Sequence, residues 1–274
     1  MITSPRLASR FASWVRWRGL ALAGCLLPLA LGACADDDAA ASVASVRAAA
    51  VSVGAGSLGL PPAQPEAVVE AGRALFFDPN LSGRRDIACA TCHAPALATT
   101  DAISLAIGTG GRGVGPNRVI PADRRLYPRN TLDLFNRGYG AFSEFGWDGR
   151  IRPRPEGGWT EPEDWEAATL PDGLASGLAG AVVDALSDRD RMTGRNGDVD
   201  VNGMPNELGG LEDEELPLLW ERIVARAMAA GHGDRLRAAW GARSPTIADL
   251  ANAIAAYIAA TFVANDTPFD RFMA

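Results

Sequence analysis

Residues 89–93 read Cys89-Ala90-Thr91-Cys92-His93. Two thiols three residues apart, followed at once by an imidazole, form the attachment site of a c-type haem. The sulfurs add to the two vinyl groups of the porphyrin and the imidazole ligates the iron. A short helix opening at Cys89 suits that chemistry, because it puts both sulfurs on one edge of the macrocycle and aims His93 at its centre. Two other chemistries use the same residue types. A thioredoxin-like redox pair belongs at a strand-to-helix junction, whereas Leu81-Ser82-Gly83-Arg84-Arg85-Asp86, ahead of Cys89, reads as a loop. A zinc site needs four ligands, and the chain holds 4 Cys and 2 His in all, the remainder being Cys25, Cys34 and His232. One covalent haem c per chain, bound by Cys89 and Cys92 with His93 on the iron, is the favoured reading.

Those five residues need a fold around them, and 274 residues allow one large domain or two small ones. From Pro65 to Phe77 the apolar positions Val68, Val69, Gly72, Leu75 and Phe76 predict a helix stopped at Asp78-Pro79. A second helix is predicted from Gly173 to Leu186. A third runs from Pro217 to Ala230, with Leu219, Ile223, Val224, Ala227 and Met228 inward and Gly231 as its stop. Ser244-Pro245 is expected to cap the clearest helix, in which Ile247, Leu250, Ala251, Ile254, Tyr257, Ile258, Thr261 and Phe262 recur at spacings of three and four. No alternating strand pattern of useful length is present. Gly108-Thr109-Gly110-Gly111-Arg112-Gly113 spells a nucleotide-loop motif, but no strand leads into it and Val114-Gly115-Pro116 stands where a helix should begin, so it reads as a loop. The predicted fold is mainly α, a cytochrome c-like haem domain with several helices and long loops.

Net charge is -7 and all 26 basic residues are arginine. No basic patch interleaves with aromatics, which argues against nucleic acid as a partner. Arg6, Arg10, Arg16 and Arg18 precede an apolar run from Gly19 to Ala33, the pattern of a secretion signal and too short for a comfortable membrane span. Leu31-Gly32-Ala33-Cys34 then resembles a bacterial lipobox. Residues 1–33 are expected to be a lipoprotein-type signal, with lipidated Cys34 anchoring the protein at a periplasmic membrane face; ordinary cleavage near Ala33-Cys34-Ala35 is the alternative. Haem c is assembled outside the cytoplasmic membrane, so export and the Cys-His motif agree. Residues 34–62, rich in Ala, Ser and Gly, are expected to be a flexible tether, and 63–274 the haem domain.

Four stretches, the haem motif among them, carry a resemblance. They are Leu75-Phe76-Phe77-Asp78-Pro79-Asn80-Leu81-Ser82, Cys89 through Leu97, Arg129-Asn130-Thr131-Leu132 and Trp147-Asp148-Gly149-Arg150. In order and spacing they resemble the N-terminal haem domain of the bacterial di-haem cytochrome c peroxidase and MauG-like family. Pro268-Phe269-Asp270-Arg271-Phe272 is similar to that family's link into a second haem domain. The resemblance implies reduction of hydrogen peroxide with electrons from a small periplasmic cytochrome or cupredoxin, or use of peroxide to oxidise a protein. It also implies that His93 is the proximal ligand of the peroxide-reacting haem, that Trp147 stands between two haems, and that Asn130 is a calcium ligand. Read without the resemblance, Trp147 is equally a packed core aromatic.

The departures matter as much. Where the family has a glutamate before a methionine, as acid and base for peroxide cleavage, Arg191 precedes Met192, and Asp190 is the nearest substitute. The loop before Arg129-Asn130 holds no histidine, and His232, just past a helix end, reads as a surface or capping residue. Asp198-Val199-Asp200-Val201-Asn202-Gly203 opens like a calcium loop, but its twelfth position is Gly209, so an ordinary turn is preferred. The sequence ends at Ala274, where the resemblance would place a second haem domain, so electrons are expected from another chain, a separate chain carrying that haem being one candidate. Two alternatives to an enzyme stand: a mono-haem electron carrier, closed by a sixth ligand such as Met192 or Met204, and a truncated remnant that only binds haem.

Overall fold

The computed structural model of the protein describes residues 42–154, 157–160 and 170–274. The signal and lipidation site fall outside them. The described residues divide after Ser52 into two units.

The first unit holds α1, Val43–Ser52. The Ser42 hydroxyl accepts from the amide of Ser45 (3.1 Å), and alanine, the strongest helix former, fills the middle of the segment. No residue of α1 is buried. Within the stretch 34–62, then, a local helix stands at Val43–Ser52: lack of large apolar residues predicts the lack of a core, which is separate from local helix propensity. Farther along, within the second unit, the Leu58 amide donates to Asp270 Oδ1 (3.2 Å) and the Tyr139 hydroxyl to the Gly59 carbonyl (2.7 Å).

In the second unit, α2 (Glu66–Phe76) lies along α7 (Ile247–Thr261). Val68, Ala71, Gly72, Leu75 and Phe76 form the buried face of α2. A Cβ at Gly72 would strike the carbonyl of Ala253, so the two backbones meet directly there. α7 is buried on nearly every side and forms the centre of the core. Its cap is Thr246, one residue beyond the expected Ser244-Pro245: the Asp249 carboxylate takes the Thr246 amide (2.7 Å) while the Thr246 hydroxyl takes the Asp249 amide (3.3 Å). Phe76, Tyr257 and Phe262 close the far end as an aromatic cluster, with centroids 5.2–5.8 Å apart.

Around this pair stand α3 (Cys89–Cys92), α4 (Gly177–Ser187), α5 (Leu216–Ala227), α6 (Gly233–Trp240) and α8 (Pro268–Met273). β1 (Arg152–Pro153) and β2 (Trp159–Thr160) make the one two-stranded pairing among the described residues, so the fold is mainly α as expected. The predicted third helix stops earlier than its sequence suggested. Regular α5 ends at Ala227, a wide turn runs over Met228–His232 with Gly231 at φ 89°, and Met228 is 40 % exposed rather than inward. No helix of the described residues is long and apolar enough to cross a membrane.

The same turn overturns the surface reading of His232. The residue is buried, and its Nε2 donates to Asp78 Oδ2 at 2.6 Å, joining the turn to the end of α2. Burial alone would raise the Asp78 carboxyl, but hydrogen bonds from His232 and Asn80 outweigh it and hold it below the ordinary carboxylate range. A carboxyl depressed in the folded state contributes stability that is complete above its unfolded pKa, about 4, and is lost as pH falls through the folded value. His232→Leu should therefore lower stability by about 1–3 kcal/mol at pH 7 by leaving Asp78 Oδ2 without its donor while Asn80 still serves Oδ1. Chemical denaturation should show that deficit shrinking below pH 4; a deficit unchanged down to pH 2 would refute the role of the charge.

Candidate haem site

Cys89 opens α3 after buried Ile87 and Ala88 have fixed the chain to the core. The Thr91 hydroxyl accepts the Ala88 amide (3.0 Å), and the His93 amide donates to the Cys89 carbonyl (2.8 Å), so the single helical turn is tied at both ends. Behind it, buried Arg226 of α5 donates twice to Glu207, at 2.6 Å each, and also to the carbonyls of Ser82 and Gly83. It anchors the loop that delivers the motif.

Both thiols are free and half-buried. Burial pushes the Cys89 thiol up to about 12 and that of Cys92 up to about 11. His93 Nδ1 lies 3.1 Å from the Thr99 carbonyl. A carbonyl only accepts, so Nδ1 carries the hydrogen and Nε2 keeps its lone pair for a metal. Burial holds the ring below its ordinary pKa, in the neutral form a ligand needs. The donor set thus fits a haem c: two sulfurs on one turn and a neutral imidazole with a fixed tautomer.

Thr99 reaches its position at a cost, for it is a β-branched residue at φ 61°, between Ala98 at 53° and Ala102 at 55°. Its hydroxyl donates to the Ala98 carbonyl (2.7 Å) and accepts the Leu134 amide (2.7 Å), which locks the strained turn against the segment following Arg129-Asn130-Thr131-Leu132. Sequence reasoning missed Thr99, because a left-handed threonine leaves no pattern. From Thr99 to Arg129 the one helical turn among the described residues is Gly115–Asn117, and the loop expected at Gly108–Gly113 lies within that stretch.

On the other side of the motif, the Ile107 carbonyl accepts from Cys92 Sγ (3.8 Å) and from Nε of buried Arg118 (2.8 Å). Two residues on, the Thr109 amide donates to the Arg191 carbonyl (3.0 Å). Loop 107–110 therefore ties the thiol to the wide turn Arg189–Thr193, a form of helix often found at functional sites. Arg191 Nη2 is 2.6 Å from Asp184 Oδ2 and its Nε is 3.2 Å from Asp188; its guanidinium lies 5.0 Å from the centre of the Tyr127 ring. Burial works against its charge, but Asp184 and Asp188 outweigh burial and keep it firmly cationic.

Asp190, proposed from sequence as the proton carrier, has its carboxylate 2.8 Å from Arg195. The site charges that His93 feels most are Asp101 and Arg191. Trp147 is 59 % exposed, so it is no core aromatic, and its Nε1 donates to the Asn130 carbonyl (3.1 Å). The two residues that the resemblance singled out therefore stand together. The Asn130 side chain donates to the Ile103 carbonyl (2.7 Å), and no group of three or more Asp, Glu, His or Cys suited to a metal occurs among the described residues. The calcium-like stretch is a turn: Asp200 Oδ1 takes the amides of Asn202 and Met204 (2.8 and 2.9 Å), and Asp198 takes Arg124 (2.9 Å) and the Arg195 amide (2.8 Å). Of the two candidate sixth ligands, Met192 is buried in the core and Met204 is 61 % exposed.

Comparison with known proteins follows the same lines. The family model described as di-haem cytochrome c peroxidase matches residues 66–274. The methylamine utilization protein MauG of Methylorubrum extorquens is 28 % identical over 211 residues, 77 % of this chain and 42 % of that protein. The cytochrome c551 peroxidase of Pseudomonas aeruginosa is 36 % identical over 83 residues, 30 % of this chain and 20 % of that one. Among solved structures, a MauG-like protein associated with microbial copper homeostasis aligns with TM-score 0.44 and 20 % identity, over 79 % of this chain and 47 % of that one. The chain spans less than half the length of each of the three.

Proposed function

Because the chain belongs to the di-haem cytochrome c peroxidase family, we propose that it is a haem c oxidoreductase acting on hydrogen peroxide, either to reduce it or to turn its oxidising power on a protein. Reduction consumes two electrons and two protons and yields two waters; a small periplasmic cytochrome or cupredoxin would give the electrons one at a time, directly or through a separate chain carrying a second haem. The observation that carries this reading is the Cys89–Cys92 turn, with the neutral His93 ring held by Thr99.

Bound there, the haem would supply an iron that accepts a peroxide oxygen and exchanges single electrons. The chain supplies the rest. Thr99 fixes which nitrogen of His93 faces the metal. Arg191, held cationic, draws negative charge but has no proton to exchange, so Asp190 carries the proton between the peroxide oxygens, and only when Arg195 releases it. Trp147, exposed and hydrogen-bonded to Asn130, is the aromatic at which electrons arrive. Asn130 is the residue that would hold a calcium ion if the resemblance extends that far. In this reading the protein is exported, and Cys34 carries its lipid anchor.

The test is the reduced protein exposed to carbon monoxide, followed by mixing with peroxide. An open iron gives a shifted Soret band with carbon monoxide and a prompt reaction with peroxide, and His93→Ala keeps the haem but loses the peroxide reaction. A low-spin iron indifferent to both reagents would make the protein an electron carrier. A weak, unligated signal that His93→Ala does not alter would make it a remnant.

A further inference from the structure

Asp101 exposes none of its surface to solvent. Its Oδ2 accepts the Thr131 hydroxyl (2.8 Å) and its Oδ1 the Ile103 amide (3.3 Å), both neutral donors, and no cationic side chain pairs with it among the described residues. A carboxylate buried on such terms opposes folding unless it serves another end. Its position suggests what that end is. Asp101 follows by two residues the strained Thr99 that holds the His93 ring, and its partner Thr131 directly precedes Leu132, whose backbone also acts on that ring. Arg191, the nearby cation, is already engaged by Asp184 and Asp188, and Arg118 by the carbonyls of Ile107, Gly108 and Gly113.

We propose that Asp101 is a positioning residue whose buried negative charge lowers the reduction potential of the haem carried by Cys89, Cys92 and His93. The inference rests on the haem reading above. An iron centre gives up positive charge when it gains an electron, and a fixed anion close to its ligand in a weakly polar interior opposes that step. The same anion favours iron that has lost electrons, which is the direction in which peroxide drives it. Thr131 and the Ile103 amide keep the carboxylate in place without an ion pair, and the Arg118 guanidinium that feels its field is held away on backbone carbonyls.

The experiment is a spectroelectrochemical titration of haem-loaded wild type, Asp101→Asn and Asp101→Ser. Asparagine keeps the shape and can still accept from Thr131; serine leaves room for a water between Thr131 and the Ile103 amide. Both should load haem, and both should hold about tenfold more reduced iron at a fixed poise, a positive shift of about 59 mV for one electron. A loaded variant with an unchanged or lowered potential overturns the proposal. Failure of both neutral variants to load haem also overturns it, since Asp101 would then serve folding alone. If wild type itself takes up no haem, the haem reading fails, and that result is distinct from either of these.

Discussion

Protein matured in a host that assembles haem c should gain the mass of one haem, and the Cys89→Ala, Cys92→Ala double variant should gain none. The effect is all-or-nothing because each thioether is a covalent bond and the two sulfurs sit on a single tied turn. The single variants should retain one bond and a weakened attachment. Deleting residues 1–33 should abolish loading of the intact motif as well, since the cofactor is attached outside the cytoplasmic membrane. Intact-mass spectrometry reads all of these outcomes. Haem that survives in the double variant would refute the site, and haem on the leaderless protein would refute export.

Arg191→Glu should be both less stable and faster with peroxide. The stability loss follows from the neighbours: a glutamate would face Asp184 and Asp188, which now lie 2.6 and 3.2 Å from the guanidinium, and would give up the contact with Tyr127. Removing one partner from a fully buried pair costs about 3–5 kcal/mol, and the partial exposure of these side chains reduces that to about 2–3 kcal/mol. For a domain of this size the melting temperature should fall by roughly 5–10 °C. The rate gain follows from chemistry, because a carboxylate at 191 would pass the proton without waiting on the Arg195 pairing that holds Asp190, and such help is worth at most the usual factor of about 10²–10⁴. Stopped-flow mixing well below the melting point separates the two effects. A variant that melts with wild type would show that the Asp184–Arg191–Asp188 cluster does not stabilise the fold. An unchanged peroxide rate would show that no carboxylate is missing there.

What the sequence revealed depended on how far apart the interacting residues lie along the chain. α2 and α7 were legible because their apolar positions repeat at helical spacing and face one core. α6 escaped notice because Leu236 is its single buried residue, and α8 because a capped turn of six residues holds too little periodicity. Asp78 bonds to His232 across 154 positions, and no local pattern announces such a partner. In the site, Cys89, Cys92 and His93 are adjacent and carry their spacing on the surface of the text. Thr99 and Asp101 act through a left-handed turn and a burial that only the folded chain creates. The pairing of Trp147 with Asn130 lay between: each residue belonged to a matched stretch, but the hydrogen bond joining them did not.

The direct backbone meeting of α2 and α7 at Gly72 divides the molecule by how readily it opens. Amide hydrogens of α7, buried on nearly all sides, can exchange with solvent water only when the whole domain unfolds, so they should be the last to take up deuterium. The loops from Thr99 to Phe135 hold scattered turn bonds instead of a helical ladder and can open a few residues at a time. The Cys89–Cys92 turn sits on the boundary between these regions. A macrocycle fastened there at its edge and at its centre would bridge the slow-exchanging core and the fast-exchanging loops, and deuterium uptake over 99–135 should fall sharply when it is attached while uptake in α7 stays as low as before.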